Sequence, residues 1–206
     1  MPLNEKSTAQ KEVMHDIINT DNVPQRYWFV AVVGQNTEKS CRDRLEKLGY
    51  ECFVASQEEV HIWANGRKKK VERVLITARI FIYLTEAERL EVVSLPFINY
   101  FMTNRAASMN AYGRHPMAHI PDYQIQMLRF MLNHADTPVG FVSQVRLGDH
   151  IRVIRGPLKG FEGRITREAS GETYAVACLD SLGCALMKIM PCDVEIIASH
   201  PIRRDV

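Results

Sequence analysis

The stretch "GDHIRVIRGPLKGFEGRI", residues 148–165, alternates apolar and polar positions and then sets Gly156, Gly160 and Gly163 among Arg152, Arg155, Lys159 and Arg164. Glycine weakens a strand interior, so these glycines mark places where the backbone needs positive φ or a close approach. Ile151, Val153 and Ile165 predict strands on either side of that region. The piece reads as a strand, a glycine-shaped loop and a returning strand. Downstream, "TYAVACL", "ALMKIM" and "VEII" continue the pattern of short strands parted by Gly or Pro turns. Five strands in residues 146–198 predict a small all-β barrel, because closing a sheet removes its exposed edges.

Upstream the signals are mixed. "RYWFVAVV", residues 26–33, is apolar on both faces and predicts a central strand. Asn36 or Thr37 then caps a helix with the stripe Cys41, Leu45 and Leu48, stopped by Gly49. Asn65-Gly66 between alternating arms is a hairpin signal. "RIFIYL", residues 79–84, is a strand, Thr85 and Glu88 form a capping box, and "FINYFM", 97–102, is a further strand. Pro121 opens a third helix with the buried stripe Ile125, Leu128 and Leu132. The expected fold class is α+β: an antiparallel sheet with helices on one face over residues 26–134, a linker over 135–145, and the barrel. Residues 1–25 read as an extension.

Composition bounds the function. At 206 residues, with 46% hydrophobic and 24% charged content, the chain suits one large or two small globular domains. A net charge of +2 gives no global argument for nucleic acid, so such binding must come from local patches. No apolar run is long enough to span a bilayer, and the polar "MPLNEKSTAQKEV" has no signal-peptide core; we expect a cytoplasmic protein without a membrane partner. The five cysteines show no CxxC spacing, which favours reduced thiols over a disulfide framework or a zinc site. His115 and His119 stand four apart, but Pro116 and Pro121 break any helix there, so both read as loop histidines without a metal role.

No G-x-S-x-G, phosphate loop or dinucleotide fingerprint is present, and no convergent catalytic set can be assembled. We expect neither an enzyme nor a cofactor. Two basic clusters remain. Arg67, Lys68, Lys69 and Lys70, with Arg73, lie at or beside the hairpin tip and suit either phosphate contact or protection of a strand edge. Arg152, Arg155, Lys159, Arg164 and Arg167 suit either a solvated barrel face or RNA contact. Trp28, Phe53, Phe81 and Tyr83 lie on predicted strands, and any of them on an uncovered sheet face would mark a protein-binding surface.

These pieces together resemble a known family. "GDHIRVIRGPLKGFEGRI" resembles a KOW motif in its strand, its Gly-Pro turn and its glycines at 156, 160 and 163. "RYWFVAVV" with the capped helix and "LGYECFVA" resembles the NGN domain of NusG-type transcription elongation factors. "NGRKKKVERVLITARIFIYL" and "HIPDYQIQMLRFML" are most similar to the UpxY-type antiterminators of capsular polysaccharide operons. The resemblance implies docking of the NGN domain on RNA polymerase, at the clamp helices, through Tyr27, Trp28, Ile80 and Phe81. It implies a basic hairpin facing polymerase, upstream or non-template DNA, or nascent RNA. It also implies that the all-β barrel is an SH3-like KOW domain that binds a ribosomal protein or the termination factor Rho. The sequence departs from the family where Pro-Gly-Tyr precedes the docking strand: residues 77–80 read "TARI". The competing expectation is a ribosomal or other RNA-binding KOW protein.

Overall fold

A computed structural model describes residues 24–198 apart from 64, 65, 146 and 169. The extension through residue 23 and the first hairpin-turn residue, Asn65, lie outside the described residues. The first unit is built on β1 (Tyr27–Val33), which pairs antiparallel with β5 (Arg79–Leu84) along one edge. Its other edge is shared by β6 (Ile98–Phe101) and β7 (His119–Ile120), while β2 (Glu51–Phe53) extends the sheet beyond β5. β1 takes this central place because it has no polar face to give to water. His119 therefore stands on a strand, not in the loop expected for it.

Alternation divides the sheet's side chains between two covered faces. Phe29, Ala31, Val33, Ile80, Ile82 and Leu84 are buried with Cys41 and Leu45 of α1 (Glu38–Lys47) and Val92 of α2 (Glu86–Val92). Trp28, Val30 and Phe81 point the other way, into a cluster with Ile125, Leu128, Met131 and Leu132 of α3 (Asp122–His134). The sheet is thus covered on both faces, which corrects the expectation of helices on one. Pro121 turns the chain straight from β7 into α3, and the apolar stripe of α3 needs a surface to bury against.

Local capping follows the sequence at the start of α2 and the end of α1, but not at the start of α1. Thr85 and Glu88 form the complete capping box of α2. Gly49 ends α1 at φ +87°. Thr37 precedes α1 without capping it; its hydroxyl donates to Gly34 O instead. Leu48 falls outside the buried stripe and is exposed. Ala78, in the "TARI" segment, adopts φ +58°, the left-handed region that glycine enters without steric cost and alanine does not. Its amide donates to Glu38 Oε1 at 2.6 Å and its carbonyl accepts from Val33 N at 3.0 Å, which holds the residue there.

A two-stranded ribbon, β3 (Ser56–Ile62) and β4 (Lys68–Val74), leaves the first sheet. The second unit is a six-stranded antiparallel sheet. Its path runs from β13 (Val194–Ala198) through β9 (His150–Val153), β10 (Glu162–Arg167), β11 (Thr173–Leu179) and β12 (Gly183–Ile189) to β8 (Gly140–Val142). β8 comes from the segment expected to be linker, so the five-stranded count is one short. Among the described residues no ladder joins β8 to β13, and the expected closed barrel is an open path.

The glycines of the opening stretch do what their placement implied. Gly156 and Gly160 have φ of +81° and +92°. Gly163 has ordinary dihedrals, but a Cβ there would lie 2.7 Å from the Phe161 ring and 3.1 Å from Val176 O. Gly163→Ala must push against a buried ring and a neighbouring strand, and is expected to cost about 1–3 kcal/mol in urea denaturation. Ala78→Gly, which relieves a left-handed alanine, is expected to leave stability equal or raise it by up to about 1 kcal/mol. Equal losses from both substitutions would contradict this reading of the backbone.

Candidate functional site

The aromatic residues of the first sheet gather around α3. Trp28 is paired with Tyr83 across β1 and β5, and their ring centroids are 5.1 Å apart. Phe53 stacks on Phe81 at 5.8 Å. Two residues of α3, seven apart and so on one helix face, grip this layer. Asp122 Oδ1 accepts a hydrogen bond from Trp28 Nε1 at 2.8 Å, and the Arg129 guanidinium lies 4.9 Å from the ring centroids of both Trp28 and Phe53. A cation over an aromatic face is attracted by the ring quadrupole, so Arg129 clamps the two rings as well as covering them.

At the end of this layer a cleft of about 340 Å³ opens between β1, β5 and the start of α3. It is lined by Arg26, Tyr27, Trp28, Tyr83, His119 and Asp122, among others. Tyr27 and His119 stack at 4.7 Å, and Arg26 is fixed by Glu88 at 2.5 Å and by Tyr83 O at 3.2 Å. The Glu88 carboxyl is held below its usual range, chiefly by the backbone amide of Thr85 and further by Arg26. The cleft therefore offers half-buried aromatic surface with one fixed cation and one fixed carboxylate at its rim. That composition suits a protein partner.

Of the expected docking residues, the structure brings Tyr27 and Trp28 to this cleft. Tyr27 is half-buried, while Trp28 is 2% exposed. Ile80 and Phe81 have no accessible surface and lie on opposite faces of the sheet. Neither member of the pair faces solvent, which corrects the expectation of an uncovered aromatic face. Arg129, Asp122 and His119 were not anticipated. The seven-residue spacing of Asp122 and Arg129 is the sequence signal that points to one helix face, and nothing marks His119 without the β7 pairing.

The basic ribbon is anchored at its base and exposed at its tip. Glu72 accepts from the Ser56 hydroxyl at 2.5 Å and pairs with Lys39 and Arg42 of α1 at 3.2 and 3.4 Å. The Ser56 bond first, and then those cations, hold the Glu72 carboxyl below its usual range. Arg67, Lys68, Lys69 and Lys70 are all exposed, and Lys70 pairs with Glu58 at 3.2 Å. The second cluster is largely committed within its own sheet. Arg152 pairs with Glu162, Arg155 reaches Cys192 O and Asp193, and Arg164 donates to Gly148 O.

α3 lies between the two units. Phe130 meets Phe161 of the second at 6.4 Å, and Gln124 Oε1 accepts from Asp180 N at 2.9 Å. One buried cluster runs from Trp28 and Phe81 through Leu128 and Met131 to Ile151, Phe161, Leu179 and Met187. The connection is clasped as well. Gln57 of the ribbon donates to Thr137 O and accepts from Val139 N, and Arg73 donates to Val139 O. The expected reduced thiols are corrected at one pair: Cys178 and Cys184 form a disulfide, while Cys41, Cys52 and Cys192 are free. Among the described residues no group of His, Cys, Asp or Glu is placed to hold a metal ion, and no helix is long and apolar enough to cross a membrane.

Residues 26–129, just over half the chain, match the family model described as transcription termination factor nusG. Two solved structures are similar to the chain. One is described as "Domain interaction in Thermotoga maritima NusG", at 14% identity and a TM-score of 0.41, over 84% of this chain and 98% of that one. The other is described as "Crystal Structure of MjSpt4:Spt5 complex conformation B", at 14% identity and a TM-score of 0.25, over the same shares. No curated protein sequence matches. The matched segment contains the central strand, the first two helices, the ribbon and the aromatic cleft. The chain belongs to the NusG family, non-catalytic transcription factors that act in elongation and antitermination.

Proposed function

We propose that this chain is an elongation or antitermination factor that docks its first unit, residues 26–134, on the clamp helices of RNA polymerase. The observation that carries the reading is the cleft of Tyr27, Trp28, Tyr83 and His119, set inside the family-matched segment. Trp28 lines it from its buried side, and Tyr27 and Tyr83 supply the accessible aromatic area. The factor works by differential affinity: a protein that binds both sides of the polymerase cleft more tightly in its closed, elongating form shifts the population toward that form. The ribbon cations Arg67, Lys68, Lys69 and Lys70 contact upstream or non-template DNA, or nascent RNA. Residues 146–198 are a KOW-type unit whose partner is a ribosomal protein or Rho. The subtype is the UpxY-type antiterminator of capsular polysaccharide operons, supported by the "NGRKKKVERVLITARIFIYL" and "HIPDYQIQMLRFML" stretches.

Tyr83→Ala is expected to weaken binding to core polymerase by about thirtyfold, the equivalent of about 2 kcal/mol for an aromatic anchor, with the melting temperature lowered only modestly. Trp28→Ala is the contrast: losing a buried indole is expected to cost about 3–5 kcal/mol of stability. Unchanged polymerase binding by Tyr83→Ala, or copurification of the protein with ribosomes instead of polymerase, would count against the docking surface.

Changing Arg67, Lys68, Lys69 and Lys70 together to glutamine is expected to weaken binding to an elongation complex and flatten its dependence on salt. The fold is expected to survive, since exposed substitutions usually alter stability by about 0.5 kcal/mol or less. An unaltered salt slope would assign the ribbon to edge protection.

A further inference from the structure

Cys178 and Cys184 stand directly opposite each other on β11 and β12, with Cα atoms 4.0 Å apart. Their disulfide spans a sequence separation of 6, so it restrains little of the unfolded chain, and its effect falls on the turn it encloses. That turn is a contact point between the two units. Asp180 N donates to Gln124 Oε1 of α3 at 2.9 Å, and Leu182 packs against the shared core. Ser181, held at φ +63°, borders a groove with Val32, Arg79 and Met102 of the first unit. Gly183 at the end of the turn lies so close to β8 that a Cβ would meet Val142 O at 2.4 Å. The turn is therefore fitted on two sides at once, and a bond across its base fixes the strands that present it.

The geometry points to a thiol–disulfide exchange site at Cys178–Cys184 that sets how firmly the second unit is held against α3. The reagent is a small thiol of the glutathione class. Its thiolate attacks the sulfur of Cys178, the more exposed of the pair; the protein S–S bond breaks, a mixed disulfide forms, and Cys184 leaves as a thiolate and takes a proton. A second reagent thiolate attacks the reagent sulfur of that mixed disulfide and releases Cys178, which is protonated in turn. The protein gains two electrons and two protons, and the reagent leaves as its own disulfide. The reverse sequence, driven by the reagent disulfide, reforms the bridge. In the dithiol form the strands are joined at this level only by the ladder, and the turn is free to shift away from Gln124. The remaining thiols are poor competitors inside the fold: Cys41 is buried, and burial pushes the Cys52 thiol up to about 12. Cys192 is exposed and is removed for the test.

The full chain carrying Cys192→Ser is equilibrated with reduced or oxidised glutathione. Its thiols are counted in denaturant, and amide hydrogen exchange is followed at Asp180. The count is expected to change from four to two on oxidation, leaving Cys41 and Cys52. The Asp180 amide is expected to exchange about tenfold or more faster in the reduced form, because local opening no longer strains the bridge. Adding Cys178→Ser and Cys184→Ser is expected to fix the fast rate in both buffers. Four thiols in oxidised glutathione, or the same Asp180 rate in both forms of the one chain, would overturn the proposal without requiring the serine variant to fold.

Discussion

The structure depends on the burial of α3 between two sheets. Ile125, Leu128, Met131 and Leu132 all lie in a single core with side chains of both units. A buried aliphatic side chain contributes about 1.5–3 kcal/mol, against about 1 kcal/mol for a hydrogen bond such as Asp180–Gln124. Apolar packing therefore holds the units together, and the polar contacts set their register. The same helix places Asp122 and Arg129 on the aromatic layer, so the shape of the cleft is coupled to the packing of the second unit.

Much of this was legible in the sequence, for reasons that are local. The capping box at Thr85, the limits of β5 and β11, and the left-handed glycines at 156 and 160 depend on neighbouring residues only. The family signal in "RYWFVAVV" and the following helix is equally local, and residues 26–129 bear it out. What sequence reasoning missed are consequences of tertiary contact. An amphipathic α3 could be recognised, but not which surface its stripe would take, so the second face of the sheet was expected to be open. β8 is only Gly140–Val142, too short to show a period, and it exists because β12 offers it an edge. The Cys178–Cys184 pairing required the register of a hairpin whose turn carries no strong signal.

The site follows the same division. Trp28 and Tyr27 were identifiable as aromatics on a central strand, and both line the cleft. The family pattern points to Ile80 and Phe81 by position, yet alternation sends them to opposite faces and burial removes both from solvent. The accessible surface passes to Tyr83, their neighbour on the same strand. The ribbon's charge was plain in "RKKKVER", whereas its attachment through Gln57 and Arg73 to Thr137 and Val139 is a long-range feature that composition does not carry.

We propose that the Tyr27–Tyr83 cleft is the surface that meets RNA polymerase. Its most direct test is site-specific photocrosslinking from position 83 in the full chain bound to a reconstituted elongation complex. The expected result is a crosslink that maps to the clamp helices of the largest polymerase subunit and disappears when unlabelled wild-type protein competes. A crosslink to ribosomal protein or to nucleic acid from that position, or none to polymerase while the ribbon crosslinks normally, would contradict it.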